Sequence, residues 1–146
     1  GTPGTVLWVR VWEYGNDAVG AFNICATAPG PPPPAPTNNE PCGAFSLTQS
    51  ANCNFTTYTN VGATNSAMTP LPGCGNFGTG SLDVWFTFVA SATGTAIIQT
   101  QAGTMTDVAM ALYADPPPPG CAGPFNLVSC DDGSGPGLMP FLVNQP

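Results

Sequence analysis

A run of prolines divides the chain. Pro29-Gly30-Pro31-Pro32-Pro33-Pro34-Ala35-Pro36 can form neither a helix nor a central strand, because proline lacks a backbone N–H and has a fixed φ. It reads as polyproline II, about 3.1 Å per residue and roughly 25 Å in all. Residues 29–37 are thus a stiff spacer between residues 1–28 and a body over 38–146. Ahead of the spacer, Thr5–Tyr14 is the clearest strand, with Val6, Trp8, Arg10 and Trp12 on one face and Leu7, Val9 and Val11 on the other. Both faces are largely apolar, which suits a strand inside a sandwich better than one at its edge. Gly15-Asn16-Asp17 is a turn signal, and Val19–Thr27, carrying Phe22 and Ile24, is the return strand. A lone hairpin is marginal in water. This one must join a sheet built from other residues, and a stiff spacer carries it away from its own body more naturally than it folds it back.

The body shows no helical periodicity. Short segments rich in Val, Thr, Phe, Trp and Tyr alternate with turn residues, and 18 Gly and 18 Pro punctuate the 146 residues. Strands are expected at Ala44–Thr48, Asn54–Thr59, Asp83–Val89, Gly94–Thr100, Val108–Ala114, Phe125–Ser129 and Met139–Val143. A long loop runs from Val61 to Gly80, and a second proline run, Asp115–Pro119, projects between two strands. This inventory predicts an all-β fold, a jelly-roll-like β-sandwich completed by a donated or shared N-terminal hairpin.

Charge removes most chemistry. Eight acids face one base, Arg10, with no Lys and no His, for a net charge of −7. Nucleic-acid binding needs a basic surface, and His triads, Schiff-base lysines and P-loops lack their residues. No apolar run approaches the roughly 20 residues of a membrane span. Asp131 and Asp132 are adjacent, so on a strand they point to opposite faces and cannot act as a glycosidase pair. The chain reads as a non-enzyme. Six cysteines suggest three disulfides and an oxidising, extracellular compartment. Cys121 and Cys130 bracket a short loop and strand and are the preferred pair. Cys25 would staple the hairpin to a body, its own or a neighbour's, with Cys42, Cys53 and Cys74 as possible partners. The chain opens on Gly1 with no signal peptide, as expected for a mature product or a window of something longer.

Four strings carry a resemblance. They are Asp83-Val84-Trp85-Phe86-Thr87-Phe88, Thr106-Asp107 leading to Ala111-Leu112-Tyr113, Cys130-Asp131-Asp132-Gly133, and Val9-Arg10-Val11-Trp12-Glu13-Tyr14-Gly15. Together they resemble the bacterial pre-peptidase C-terminal domain found in secreted, multi-repeat surface proteins. The resemblance implies a non-catalytic β-sandwich related to clostridial collagen-binding domains. In that family the strand resembling Val9–Gly15 comes last; here it comes first. Joining Met139–Pro146 to Gly1–Trp8 restores the family's ordinary run into its last hairpin, so the chain resembles a circularly shifted repeat. Relatives of the family bind Ca²⁺ through acids near the domain start, which implicates Asn39, Glu40, Asp83 and Asp107. The competing reading is that these residues cap turns. No other cofactor is implied.

Two functions follow as expectations. In the first, the chain is a structural subunit, or one tandem repeat, of a secreted extracellular filament, its partners being copies of itself. Val6, Trp8, Arg10, Trp12, Phe22 and Ile24 would lodge in the next unit, with Arg10 facing a carboxylate there. An open head-to-tail contact gives a fibre. In the second, the chain is a monomeric carbohydrate- or collagen-binding module, with Trp8, Trp12, Trp85, Tyr14, Tyr58 or Tyr113 as a stacking platform and a surface polysaccharide as ligand. The Thr/Pro-rich spacer suits O-linked sugars, and Asn54-Phe55-Thr56 fits the N-linked acceptor pattern.

Overall fold

The computed structural model describes residues 2–67, 70–114 and 120–144. The second proline run, 115–119, lies outside the described residues. Two compact units form, Gly1–Pro31 and Pro32–Pro146. The division falls inside the first proline run rather than before it. Gly62 accounts for this. It sits at φ +80°, and a Cβ there would collide with the Pro34 carbonyl oxygen and lie 2.9 Å from that of Pro33. The Pro33 and Pro34 carbonyls therefore lie against the 61–62 turn.

The larger unit is built of strands, with one 3₁₀ turn, Pro41–Gly43, as the only helical element among the described residues. Strand β1 (Phe45–Ser46) pairs in parallel with β2 (Phe86–Thr87). Their register is extended by Phe45 N–H to Trp85 O (3.2 Å) and Leu47 N–H to Thr87 O (2.7 Å). Strand β3 (Ala96–Gln99) pairs antiparallel with β6 (Phe141–Asn144), placing Ile98 opposite Leu142. Strand β4 (Met110–Ala114) pairs antiparallel with β5 (Asn126–Asp131), and β5 also lies beside β6. A register shift between Leu112 and Tyr113 leaves Val128 unpaired. Such a bulge re-aims the side chains beyond it, and here Tyr113 meets Trp85 and Phe125 at centroid distances of 5.6 and 6.3 Å.

The fold is all-β, and six of the seven body strands expected from β-branched and aromatic clusters are present, each shorter or slightly shifted. The exception is 54–59. It carries no ladder; among the described residues no backbone–backbone hydrogen bond involves 53–59. Tyr58 anchors it instead, touching Phe45 (5.6 Å) and Phe86 (4.8 Å) through its ring.

The apolar core is thin. Among the described residues the buried apolar side chains are Ala63, Ala96, Met139 and Leu142, with Pro140 beside them, and two buried polar residues, Asn38 and Ser66. Two disulfides cross-link this unit, Cys42–Cys121 and Cys74–Cys130. They close loops separated by 79 and 56 residues, the second starting inside the first. The expected Cys121–Cys130 pair is therefore corrected. Extended β5 rises about 3.3 Å per residue and carries Cys130 away from the turn that holds Cys121, so each sulfur meets a partner distant in sequence.

In the smaller unit the predicted turn forms. Asn16 adopts φ +57°, its N–H reaches Glu13 O at 3.3 Å, and the Asp17 N–H reaches Glu13 Oε2 at 3.2 Å. Asn tolerates that left-handed backbone. The flanking strands expected at 5–14 and 19–27 form no ladder with each other. Two strands whose apolar side chains have no second layer to cover them gain too little to pair alone.

Candidate interaction surface

Ten large apolar side chains between Val6 and Ile24 are solvent-exposed in the free chain. Trp8 is 93% exposed, Trp12 68% and Tyr14 98%, with Val19, Phe22 and Ile24 also open. Isolated exposed apolar residues are ordinary, whereas so many along one short stretch are uncommon on a monomeric protein. Its polar inventory is short. Arg10, the sole base, has no ion pair among the described residues and lines a shallow hollow of about 280 Å³ with Val11, Trp12 and Tyr14. Backbone hydrogen bonds acting on Glu13 from Gly15 and Asp17 hold its carboxyl below the usual carboxylate range.

In the larger unit the structure separates the four residues implicated in calcium binding. Asn39, Glu40 and Asp83 belong to one polar node, and Asp107 to a different hollow. In the node, Ser66 N–H donates to Asp83 Oδ1 (2.9 Å) and Ser66 Oγ–H to Asn39 O (3.1 Å). The Trp85 indole N–H is shared between Ser66 Oγ (2.9 Å) and Asp83 Oδ2 (3.0 Å). Asn39 Oδ1 accepts the Thr64 N–H at 2.6 Å, while its Nδ2 faces Thr64 Oγ1 and Glu40 Oε1. The carboxylate and amide oxygens are thus engaged by N–H donors, as turn-capping acids are. Asn38, 1% exposed, completes the node: its Nδ2 donates to Trp85 O (3.1 Å), and Trp85 N–H donates to Asn38 O (2.8 Å).

Asp107 and Asp132 line an open polar hollow of about 630 Å³ with Gly75, Asn76, Gly133 and Leu138. Two carboxylates there give local negative potential and nothing more specific. Among the described residues no three or more of His, Cys, Asp and Glu gather as a metal-holding group. The neighbouring Asp131 caps the end of β5, its Oδ2 collecting the N–H groups of Phe141 and Ser134 and the Ser134 hydroxyl.

No family model, curated protein or solved structure matches the chain. Its site is therefore read from its own residues. Among the described residues no helix is long and apolar enough to cross a membrane.

Of the six candidate contact residues, Val6, Trp8, Trp12, Phe22 and Ile24 are all exposed apolar positions on one unit, with Arg10 among them. Trp85 and Tyr113, offered as stacking aromatics, are instead half-buried structural groups; the Tyr113 hydroxyl donates to Pro70 O at 3.0 Å, and burial followed by the Asp83 charge pushes its phenol up. Asn38 and Ser66 escaped sequence reasoning altogether. Both are polar residues in irregular backbone, where no periodicity signals burial. The doublet Asn38-Asn39, a turn signal right after the prolines, was the one available pointer.

Proposed function

We propose that the chain is a structural unit of a secreted extracellular filament, assembling head-to-tail by strand complementation. Residues 6–24 of one copy enter the incomplete sandwich of the next. The carrying observation is the exposure of ten large apolar side chains over that stretch. Burying them is worth about 15–30 kcal/mol gross at about 1.5–3 kcal/mol each, against association costs of about 4–15 kcal/mol plus side-chain ordering. The receiving side has matching needs. Among the described residues its ladders pair strands two by two, which leaves strand edges available for β-augmentation. The two disulfides and the near absence of charge suit life outside the cell.

Negative-stain microscopy of the intact chain tests the reading. Wild-type protein is expected to form filaments, and Trp8→Ser/Trp12→Ser is expected to stay monomeric with the larger unit's melting transition unchanged. Filaments from the double variant would contradict it.

One observation favours a second reading, a non-catalytic carbohydrate- or collagen-binding module. Arg10, Trp12 and Tyr14 line a shallow hollow whose rings a sugar or an imino-acid ring could stack on. That reading expects a monomer whose melting temperature rises with added polysaccharide or collagen peptide.

A further inference from the structure

The cysteine pairing leaves a remainder. Of six cysteines, four form the two disulfides of the larger unit, while Cys25 and Cys53 are free and exposed. Each lies on a segment with strand-forming composition and no ladder. Cys25 is near the end of 19–27 in the smaller unit, and Cys53 directly precedes 54–59 in the larger. No backbone–backbone hydrogen bond involves 18–27 or 53–59 among the described residues. Tyr58 holds the second segment beside Phe45 and Phe86, and Phe45, Phe55 and Tyr58 are all exposed apolar side chains.

Polarity connects these facts. When two strands pair antiparallel, the end of one meets the start of the other. In the register that puts Val19 opposite Thr59, antiparallel addition of 19–27 to 54–59 sets Cys25 opposite Cys53. Directly opposed residues in such a pair have Cα atoms about 4.5–5.5 Å apart, within the span a disulfide bridges. We propose that Cys25 of one copy is joined to Cys53 of the next by a disulfide, making the filament covalently continuous. The proposal rests on the strand-donation reading above. The chemistry is thiol–disulfide exchange with a disulfide oxidant. One cysteine thiolate attacks the oxidant's S–S bond and expels a thiol. The second thiolate then displaces the other half of the oxidant from the mixed disulfide. Two S–H bonds are lost and one S–S bond forms; the two electrons and two protons leave on the two thiols of the reduced oxidant.

The test uses the full chain, mixed from ¹⁵N-labelled and unlabelled preparations and assembled in oxidised glutathione. Thiols are then alkylated, the sample is run on SDS gels without reductant, and the bands are digested with pepsin. A ladder that collapses with reductant and yields Cys25–Cys53 peptides pairing labelled with unlabelled halves supports the proposal. Cys25→Ser and Cys53→Ser should each abolish the ladder while filaments still form by microscopy. Filaments that dissolve in SDS to monomers with both cysteines alkylated overturn the cross-link and leave strand donation standing. If no polymer forms, whether the two thiols stay free or join within one chain, strand donation and the cross-link both fall.

Discussion

The Asp131 carboxylate accepts the backbone N–H of Phe141 at 2.8 Å, tying the end of β5 to the start of β6. The same oxygen takes the Ser134 N–H (3.1 Å) and hydroxyl (2.9 Å). The Asp-Asp-Gly loop is thereby a clasp between strands. The Phe141 bond, with those from Ser134 and Gly133, holds the Asp131 carboxyl below its ordinary value. A depressed carboxyl contributes stability that is complete above the ordinary aspartate value of about 4 and is lost as pH falls through the lowered one. The wild-type melting temperature is therefore expected to decline below about pH 4. Asp131→Ala should melt lower than wild type at neutral pH, with a flatter dependence in the acid range. Melting curves from pH 2 to 7 check both, and parallel curves for the two proteins would contradict the clasp.

The node around Trp85 should be sensitive to loss of a single hydroxyl. Ser66 is 1% exposed, and its Oγ accepts from the indole N–H while donating to Asn39 O. Ser66→Ala is expected to cost about 1–3 kcal/mol, since it strands the half-buried acceptor Asn39 O and weakens a shared donor. Asn38→Ala should cost less at Trp85 O, which loses the Asn38 amide but keeps the Phe45 N–H. Denaturant melts followed by Trp85 fluorescence would measure both, with Trp8 and Trp12 replaced by Phe in the background to isolate the signal.

Gly62 tests the docking of the proline run. Alanine there meets both the penalty of the left-handed region, about 1–2 kcal/mol, and the Pro34 carbonyl. Gly80→Ala, with open space around its Cα, is the control. Gly62→Ala is expected to lower the melting temperature and Gly80→Ala to leave it nearly unchanged. Equal effects would remove the contact from the account.

Each disulfide of the larger unit closes a long loop. Loop-closure entropy gives about 4 kcal/mol for each, a large part of the stability of a unit with so few buried apolar residues. Cys42→Ser/Cys121→Ser and Cys74→Ser/Cys130→Ser are each expected to leave the unit largely unfolded at 37 °C, as read by circular dichroism. Native spectra for both variants would show that the packed strands suffice alone.

What could be read from the residues follows from the range of the forces involved. The strands around Phe86, Ile97, Leu112 and Val128 were legible because their composition and flanking turns act locally. Residues 54–59 have the same composition, yet form no ladder, because pairing requires an edge that composition cannot reveal. The Glu13–Asp17 turn was visible in Gly15-Asn16-Asp17, whereas the partners of Cys121 and Cys130 depend on where distant segments of chain meet. Asp131 lay in one of the strings that carry the resemblance; only the Phe141 amide beside it shows a clasp. Trp8 and Trp12 were expected inside a sandwich; both are exposed in the free chain, and that exposure is why the proposal brings in a neighbour.

Amide hydrogen exchange on the assembled full-length protein, resolved by peptide, tests strand donation most directly. The account predicts that amides across 6–12 and 19–26, which lack backbone partners in the free chain, become strongly protected on assembly. Polymers in which those amides exchange as fast as in the monomer would contradict it.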